Sequence, residues 1–263
     1  MWVKCNERFY INYHKMKEDK LAVLIDADNV PYANIKEMLE EIAKIGTPTI
    51  KRIYADWTKQ TVSGWKGVLL ENAITPIQQY SYTTGKNSSD SALIIDAMDI
   101  LYSEKVDGFC IVSSDSDFTR LAIRLREAGM KVYGFGEKKT PQPFITACNK
   151  FIYIEILKPE VVIATEQTTM PITQPKTEPT PLNKIDKALI KLIVESVENL
   201  ADESGWTFMG DLGNFILKKK TDFDPRNYGF PKLLPLIKNI DKFEIDERSA
   251  GTSNIRHIYL KKK

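Results

Sequence analysis

Phe109-Cys-Ile-Val-Ser-Ser-Asp-Ser-Asp-Phe118 decides how this chain is read. The apolar run Phe109 to Val112 predicts a short buried strand. It stops abruptly at Ser113-Ser-Asp-Ser-Asp117, small polar residues suited to a strand-to-helix turn with an N-cap. In an open α/β sheet, ligands bind just beyond the carboxyl ends of the strands. Packing alone gives little reason for two acids at such an edge.

The same grammar extends outward from this stretch. Upstream, Leu21 to Ile25 predicts a strand that ends in Asp26-Ala-Asp-Asn29. Pro31 suits the first turn of a helix, with Ile35, Met38, Leu39 and Ile42 at helical spacing and Gly46 as its end. Thr49 to Ala55 predicts a second strand, Trp57 to Asn72 a second helix, and Ile74 to Tyr80 a short strand interrupted by Pro76. After a polar loop over residues 81–89, Asp90 opens an apolar helix containing Leu93, Ala97 and Leu101. Downstream lie a helix with Leu121, Ala122 and Leu125 closed by Gly129, a strand from Lys131 to Phe135, a helix end at Thr146 to Cys148, and an edge strand from Phe151 to Ile154. Strands alternating with helices predict an α/β fold, a mostly parallel Rossmann-like sheet covered on both faces.

The composition changes after Pro159. Prolines at 171, 175, 179 and 181 in a Thr-rich run without a periodic apolar face predict an extended linker, and hence two domains. Beyond it, Ile185, Leu189, Leu192 and Val197 mark one helix, Leu212, Phe215 and Ile216 a second, and Tyr228 to Ile237 a third. Pro231 suits the first turn of that third helix, whereas Pro235 is expected to cost a bond or a kink. Phe243 to Ile245 and Ile255 to Leu260, joined by Ser249 to Asn254, predict a hairpin, which completes a small winged-helix (α+β) plan.

The totals exclude several classes. The 263 residues are 43% hydrophobic and 27% charged, with a net charge of +2, ordinary for a globular protein. No apolar run approaches the roughly 18 residues of a membrane span, and the N-terminus lacks the apolar core of a signal peptide. Three cysteines (Cys5, Cys110, Cys148) without a CxxC pair, and only His14 and His257, argue against a zinc site and for a reducing cytoplasm. The modest basic excess lies in residues 183–263, including Lys218–Lys220 and Lys261–Lys263. Such runs are most often solvated surface, with nucleic-acid contact as the main competitor.

Asp26, Asp90 and Asp115 each follow a strand or open a helix, so a doubly wound sheet can bring them to one edge. Carboxylates held together repel unless a cation neutralises them, and an all-oxygen donor set favours Mg²⁺ or Mn²⁺. Such an ion fits metal-assisted phosphodiester cleavage. Asn29 could orient a ligand or water, and Asp117 could be a further or supporting acid. Each residue also has a plainer reading: Asp115 or Ser114 as a cap, Asp90 on a helix dipole, Asp26 in a turn. Ser113 and Ser116 read as turn and cap residues, Asp96 and Asp99 as solvated or supporting, and Cys110 as core. Lys86 faces either solvent or phosphate. Haloacid-dehalogenase-like phosphatase chemistry, suggested by Asp26-Ala-Asp28, is disfavoured because Asn29 and Val30 follow directly. Asp115-Ser-Asp117 fits a TOPRIM motif locally, but the early Asp26 motif and the missing glutamate turn oppose it.

Leu24-Ile-Asp-Ala-Asp-Asn29, Gly85-Lys-Asn-Ser-Ser-Asp90 with its helix to Asp99, and Ile111-Val-Ser-Ser-Asp-Ser-Asp-Phe118 resemble the NYN domain, a branch of the PIN-like metal-dependent ribonucleases. The resemblance implies a nuclease domain over 20–157, followed by a linker over 158–182. Asp26, Asp90 and Asp115 would be its catalytic and metal-binding acids, with Asn29 and Asp117 on supporting motif positions. The C-terminal part, 183–263, resembles the OST-HTH/LOTUS domain through Gly205-Trp206, Asp211-Leu-Gly213, Phe223-Asp-Pro-Arg226 and Tyr228-Gly-Phe230. That implies an RNA-binding or protein-docking winged helix. Lys86, Arg226, Lys232 and Arg256 are the candidate phosphate contacts. Trp206, Tyr228 and Phe230 read as core rather than base-stacking residues. The expectation is a cytoplasmic Mg²⁺- or Mn²⁺-dependent ribonuclease with RNA as partner and no membrane. A protein partner and a homodimer remain open, and a catalytically inactive RNA-binding regulator is the alternative.

Overall fold

A computed structural model of the chain describes residues 18–80, 88–157, 181–249 and 256–263. The N-terminal segment, the loop carrying Lys86, most of the linker and the hairpin tip lie outside the described residues.

The N-terminal domain runs β1 (Lys20–Asp26), α1 (Ile35–Ala43), β2 (Thr47–Ala55), α2 (Trp65–Glu71), β3 (Thr75–Gln78), α3 (Ser88–Tyr102), β4 (Gly108–Val112), α4 (Thr119–Glu127), β5 (Lys131–Gly136), α5 (Gln142–Ala147) and β6 (Lys150–Tyr153). The six strands form one sheet in the order β3-β2-β1-β4-β5-β6, every neighbouring pair parallel. Leu21 to Ile25 are wholly buried, as strands covered on both faces require. Their alternation feeds two cores. Ala22 and Leu24 join Leu93, Phe109 and Leu125 on one face, while Leu21, Val23 and Ile25 join Met38, Ile42 and Val112 on the other. Each fully buried aliphatic side chain contributes roughly 1.5–3 kcal/mol.

Strand order reverses between β1 and β4, whose chains continue to opposite sides of the sheet. The crevice at that point is where an open α/β sheet takes its ligand. Gly136 makes the crevice's rim possible, because a Cβ there would lie 2.6 Å from the Ser113 carbonyl oxygen. The end of β5 thus rests directly against the acidic turn.

The C-terminal domain comprises α6 (Lys187–Leu200), β7 (Thr207–Phe208), α7 (Met209–Lys219), α8 (Leu233–Ile240), β8 (Phe243–Ser249) and β9 (Arg256–Lys262). Its strands pair antiparallel in the order β7-β9-β8 beside three helices, around a core of Leu189, Ile193, Leu212, Ile216, Leu236 and Leu260. The third helix expected over Tyr228–Ile237 starts and ends later, at Leu233–Ile240. Residues Pro225–Tyr228 make a 3-10 turn closed by Gly229 at φ 84°, and α8 starts only at Leu233. Pro231 therefore precedes the helix, and Pro235 falls in its first turn, where the amide has no intrahelical partner to lose.

The two domains are docked, not merely strung on a linker. The Phe151 amide, on the outer side of edge strand β6, donates to the Thr221 carbonyl at 2.8 Å. Thr221 Oγ1 donates to the Ile145 carbonyl at 2.8 Å, and Tyr153 Oη to Asp222 Oδ2 at 2.8 Å. Arg226 Nη2 reaches both Asp224 and Glu41 at 2.7 Å. The segment after α7 thereby covers a sheet edge that would otherwise present unpaired backbone groups.

Candidate metal centre

Asp26 ends β1 with 1% of its surface exposed. Its Oδ2 accepts from Ser113 Oγ at 2.7 Å and from Asn29 Nδ2 at 2.8 Å, and its Oδ1 from the Asp28 amide at 3.2 Å. Burial raises the carboxyl's pKa, and those hydrogen bonds offset part of the rise. Ser113, itself fully buried, passes the constraint on: its Oγ also accepts from the Asp115 amide at 3.1 Å. Asp115 then caps the 3-10 turn Ser116–Phe118, its Oδ1 accepting from the Asp117 amide at 2.9 Å. One hydroxyl therefore ties the end of β1 to the turn after β4. Ser114 fixes the other side by accepting from the Glu137 amide at 2.9 Å.

Asp90 enters from the first turn of α3. Asp90, Asp115 and Asp117 each offer a carboxylate oxygen, all within 4.8 Å of one another. Asp90 is 7% exposed, and its carboxyl is pushed up to about 7, first by burial and then by the charges of Asp26, Asp115, Asp117 and Asp28. A cation beside it would favour the ionised form. The donors are all hard oxygen, and the three carboxylates lie close enough together that one cation could be shared among them. The residues fit a divalent ion of the Mg²⁺ or Mn²⁺ type.

The expected acids thus meet at one edge, with a shift of emphasis. Asp117, expected as a supporting residue, stands in the carboxylate trio with Asp90 and Asp115. Asp26 lies beside the trio, held by Ser113 and by Asn29. Ser113 was the residue that sequence reasoning undervalued, since a serine in a turn gives no sign that its hydroxyl faces a buried acid. Asp96, read as solvated or supporting, instead accepts from both Arg52 Nη1 and Tyr54 Oη, bridging α3 to β2. Cys110 is core, as its position in β4 suggested, and burial pushes its thiol far up.

The candidate phosphate contacts are scattered. Lys86 lies outside the described residues. Arg226 is committed to Glu41 and Asp224 at the domain seam, and Arg256 pairs with Glu247 at 3.2 Å. Lys232 is exposed just before α8. Tyr228 is core, whereas Trp206 is half-buried beneath Arg248, whose guanidinium lies 5.1 Å from its ring. Among the described residues no helix is long and apolar enough to cross a membrane.

Two family models agree with this anatomy. The NYN domain family model matches residues 20–155, and the OST-HTH/LOTUS domain model matches residues 180–255. No curated protein matches the chain significantly. Among solved structures, a Vibrio parahaemolyticus protein of unknown function is 22% identical, covering 52% of this chain and 93% of its own, at a TM-score of 0.43. An uncharacterised Nitrosomonas europaea protein is 29% identical, covering 37% of this chain and 92% of its own, at a TM-score of 0.29.

Proposed function

We propose that this chain, which belongs to the NYN domain family and carries an OST-HTH/LOTUS domain behind it, is a divalent-metal-dependent ribonuclease that cuts within RNA strands. The observation that carries the reading is the convergence of Asp90, Asp115 and Asp117 at the sheet's switch point, with Asp26 buried beside them. A Mg²⁺ or Mn²⁺ ion held there supplies water activation and stabilises charge on a transferring phosphate. The chain's own contribution is placement. Asp26, through Ser113, fixes where the turn after β4 begins, and the Asp117 amide sets the rotamer of Asp115. Asn29 locks the second lone pair of Asp26 Oδ2, so that Asp26 holds the frame steady. The OST-HTH/LOTUS domain supplies RNA affinity at a set position, because it is docked on β6.

The test is cleavage of labelled single-stranded, structured and circular RNAs with Mn²⁺, Mg²⁺ or EDTA, comparing wild type with Asp115→Asn. Metal-dependent cutting, including opening of the circle, that the variant loses by about a hundredfold or more would establish the reading. An equal rate in the variant would sink it. RNA binding without turnover under every divalent ion would move the assignment to a non-catalytic RNA-binding regulator.

A further inference from the structure

The seam between the two domains encloses a cleft of about 350 Å³. Arg126, Gln142 and Thr146 line it from the nuclease-like domain, and Lys218, Lys219 and Lys220 from the other. The one acid among its lining residues is Asp222, which is 5% exposed and already engaged. It accepts from Tyr153 Oη at 2.8 Å and pairs with Lys220 at 2.9 Å. Lys219 Nζ sits 4.5 Å from the centre of the Phe215 ring. Neither Lys218 nor Lys219 has an acidic partner among the described residues. Arg126 Nη1 donates to the Ala147 carbonyl at 3.1 Å, which anchors the guanidinium as a fixed wall and leaves other donors of its five unused there.

Each of these cations has a local rationale, since Arg126 ends α4 and Lys218 and Lys219 end α7, where positive charge complements a helix dipole. That rationale does not explain why cations from two domains line one polar cleft with its only acid neutralised. The metal centre supplies a reason. The catalytic edge gathers five aspartates, Asp26, Asp28, Asp90, Asp115 and Asp117, and no cationic side chain is among the partners described for Asp26 or Asp90, so a polyanion has to be gripped by cations elsewhere. The cleft is suitably near: from Thr119 beside the acids to Arg126 is roughly 10 Å along α4, a few nucleotides of strand.

We propose that this cleft is a composite site for the sugar–phosphate backbone of single-stranded RNA, complete only when the two domains are docked. The proposal rests on the ribonuclease reading, which supplies RNA as the ligand. Phosphate oxygens meet Arg126, Lys218 and Lys219, with Gln142 and Thr146 as neutral hydrogen-bonding neighbours. The strand then runs along α4 toward the carboxylates.

The test is binding of a fluorescently labelled single-stranded RNA of about 20 nucleotides to the full chain in EDTA, across a salt series. The pair Lys218→Glu with Lys219→Glu should weaken binding about tenfold or more, and two lost contacts should flatten the salt slope by about 1.4. Lys218→Arg with Lys219→Arg should bind as wild type does. Glu41→Lys, which sets like charge against Arg226 outside the cleft, should weaken binding too, because it loosens the docking. Lys36→Glu with Lys66→Glu, the same charge change at exposed sites elsewhere, should stay within about twofold. Melting curves confirm that each variant is folded. Undiminished binding by the Lys218/Lys219 charge reversal overturns the cleft, even where wild type still cuts RNA with Mn²⁺ and the ribonuclease reading stands. Loss in that pair with no change in Glu41→Lys, once calorimetry shows that variant's domains melting separately, overturns the composite site, leaving the lysines to act from one domain. A wild type that neither binds nor cuts RNA overturns the ribonuclease reading and the cleft together.

Discussion

At the scale of single residues, the site is a trade between function and stability. Asp90 sits nearly buried among four other aspartates, and its carboxyl resists ionisation for that reason. Replacing it with Asn keeps the shape and removes the repulsion. Metal-free Asp90→Asn should therefore melt higher than wild type, by about 2–4 °C for each kcal/mol of repulsion relieved. Added Mn²⁺ should raise the melting temperature of wild type by mass action and leave the variant almost unmoved. Scanning calorimetry with EDTA and then Mn²⁺ checks both, and a variant that melts lower without metal would refute the electrostatic account. Ser113 makes the complementary case. Ser113→Ala leaves Asp26 Oδ2 and the Asp115 amide each short of a partner in a buried place, costing about 1–3 kcal/mol by denaturant titration. Much of this site was legible in sequence, because an acid straight after a buried strand has few structural excuses. Asp26, Asp115 and Asp117 announced themselves in that way, and Asp90 did so as the acid that opens an apolar helix. The division of labour among them did not, since it depends on which oxygen each rotamer presents and on one hydroxyl that sequence cannot aim.

At the scale of elements, hydrophobic period carried most of the information and local polar chemistry revised it. The six strands stand close to where apolar runs put them, and the signature is densest in β1 and β4, which are buried on both faces, whereas β3 has no buried residue. The helix expected over Trp57–Asn72 is shorter, with only Trp65–Glu71 helical after a 3-10 turn. Asp56 explains the loss: its Oδ1 accepts from the Thr58 amide at 3.2 Å and from Thr58 Oγ1 at 2.6 Å, holding the chain in a turn. Trp57 then donates its indole N–H to the Ile77 carbonyl at 3.0 Å and packs beside β3. Asp96 shows the same limit on α3. By spacing it is one more acid on the Asp90 helix, yet it spans to β2, where Tyr54 is fully buried and Arg52 is half-buried. Asp96→Ala should destabilise the chain by about 1–3 kcal/mol, as a buried hydroxyl and a guanidinium lose their shared acceptor. The same variant should keep the Mn²⁺-induced rise in melting temperature. Loss of that rise would place Asp96 in the metal site after all.

At the scale of the whole molecule, the docking of the two domains was the feature least visible beforehand. A Pro/Thr-rich segment between two self-sufficient apolar patterns reads as a tether, and no periodicity reports a contact between Glu41 and a residue 185 positions away. The docking rests on few, directional bonds, and that makes it separable from folding. Arg226 forks between Asp224 and Glu41, with Lys44 also on Glu41 at 3.1 Å. Burial pushes the Glu41 carboxyl up, but the hydrogen bonds and charges of Arg226 and Lys44 outweigh it and hold the group below its ordinary value. A folded-state pKa below the unfolded one contributes stability above the unfolded value, near 4.3, and loses it as pH falls through the folded value. Docking is therefore expected to be firm at neutral pH and to weaken as the solution is acidified below about 4.3. Glu41→Gln removes the charge without the shape and should remove that acid sensitivity, at a cost of up to about 3 kcal/mol in docking. Because each domain keeps its own apolar core, the loss should not unfold either one. Calorimetry of wild type at pH 7 should then show one cooperative transition, and Glu41→Gln two overlapping transitions. Wild type near pH 4 should begin to resemble the variant. A single undivided transition in Glu41→Gln, at the wild-type temperature, would mean that the edge bonds of Phe151, Thr221 and Tyr153 hold the domains without help from the Arg226 fork.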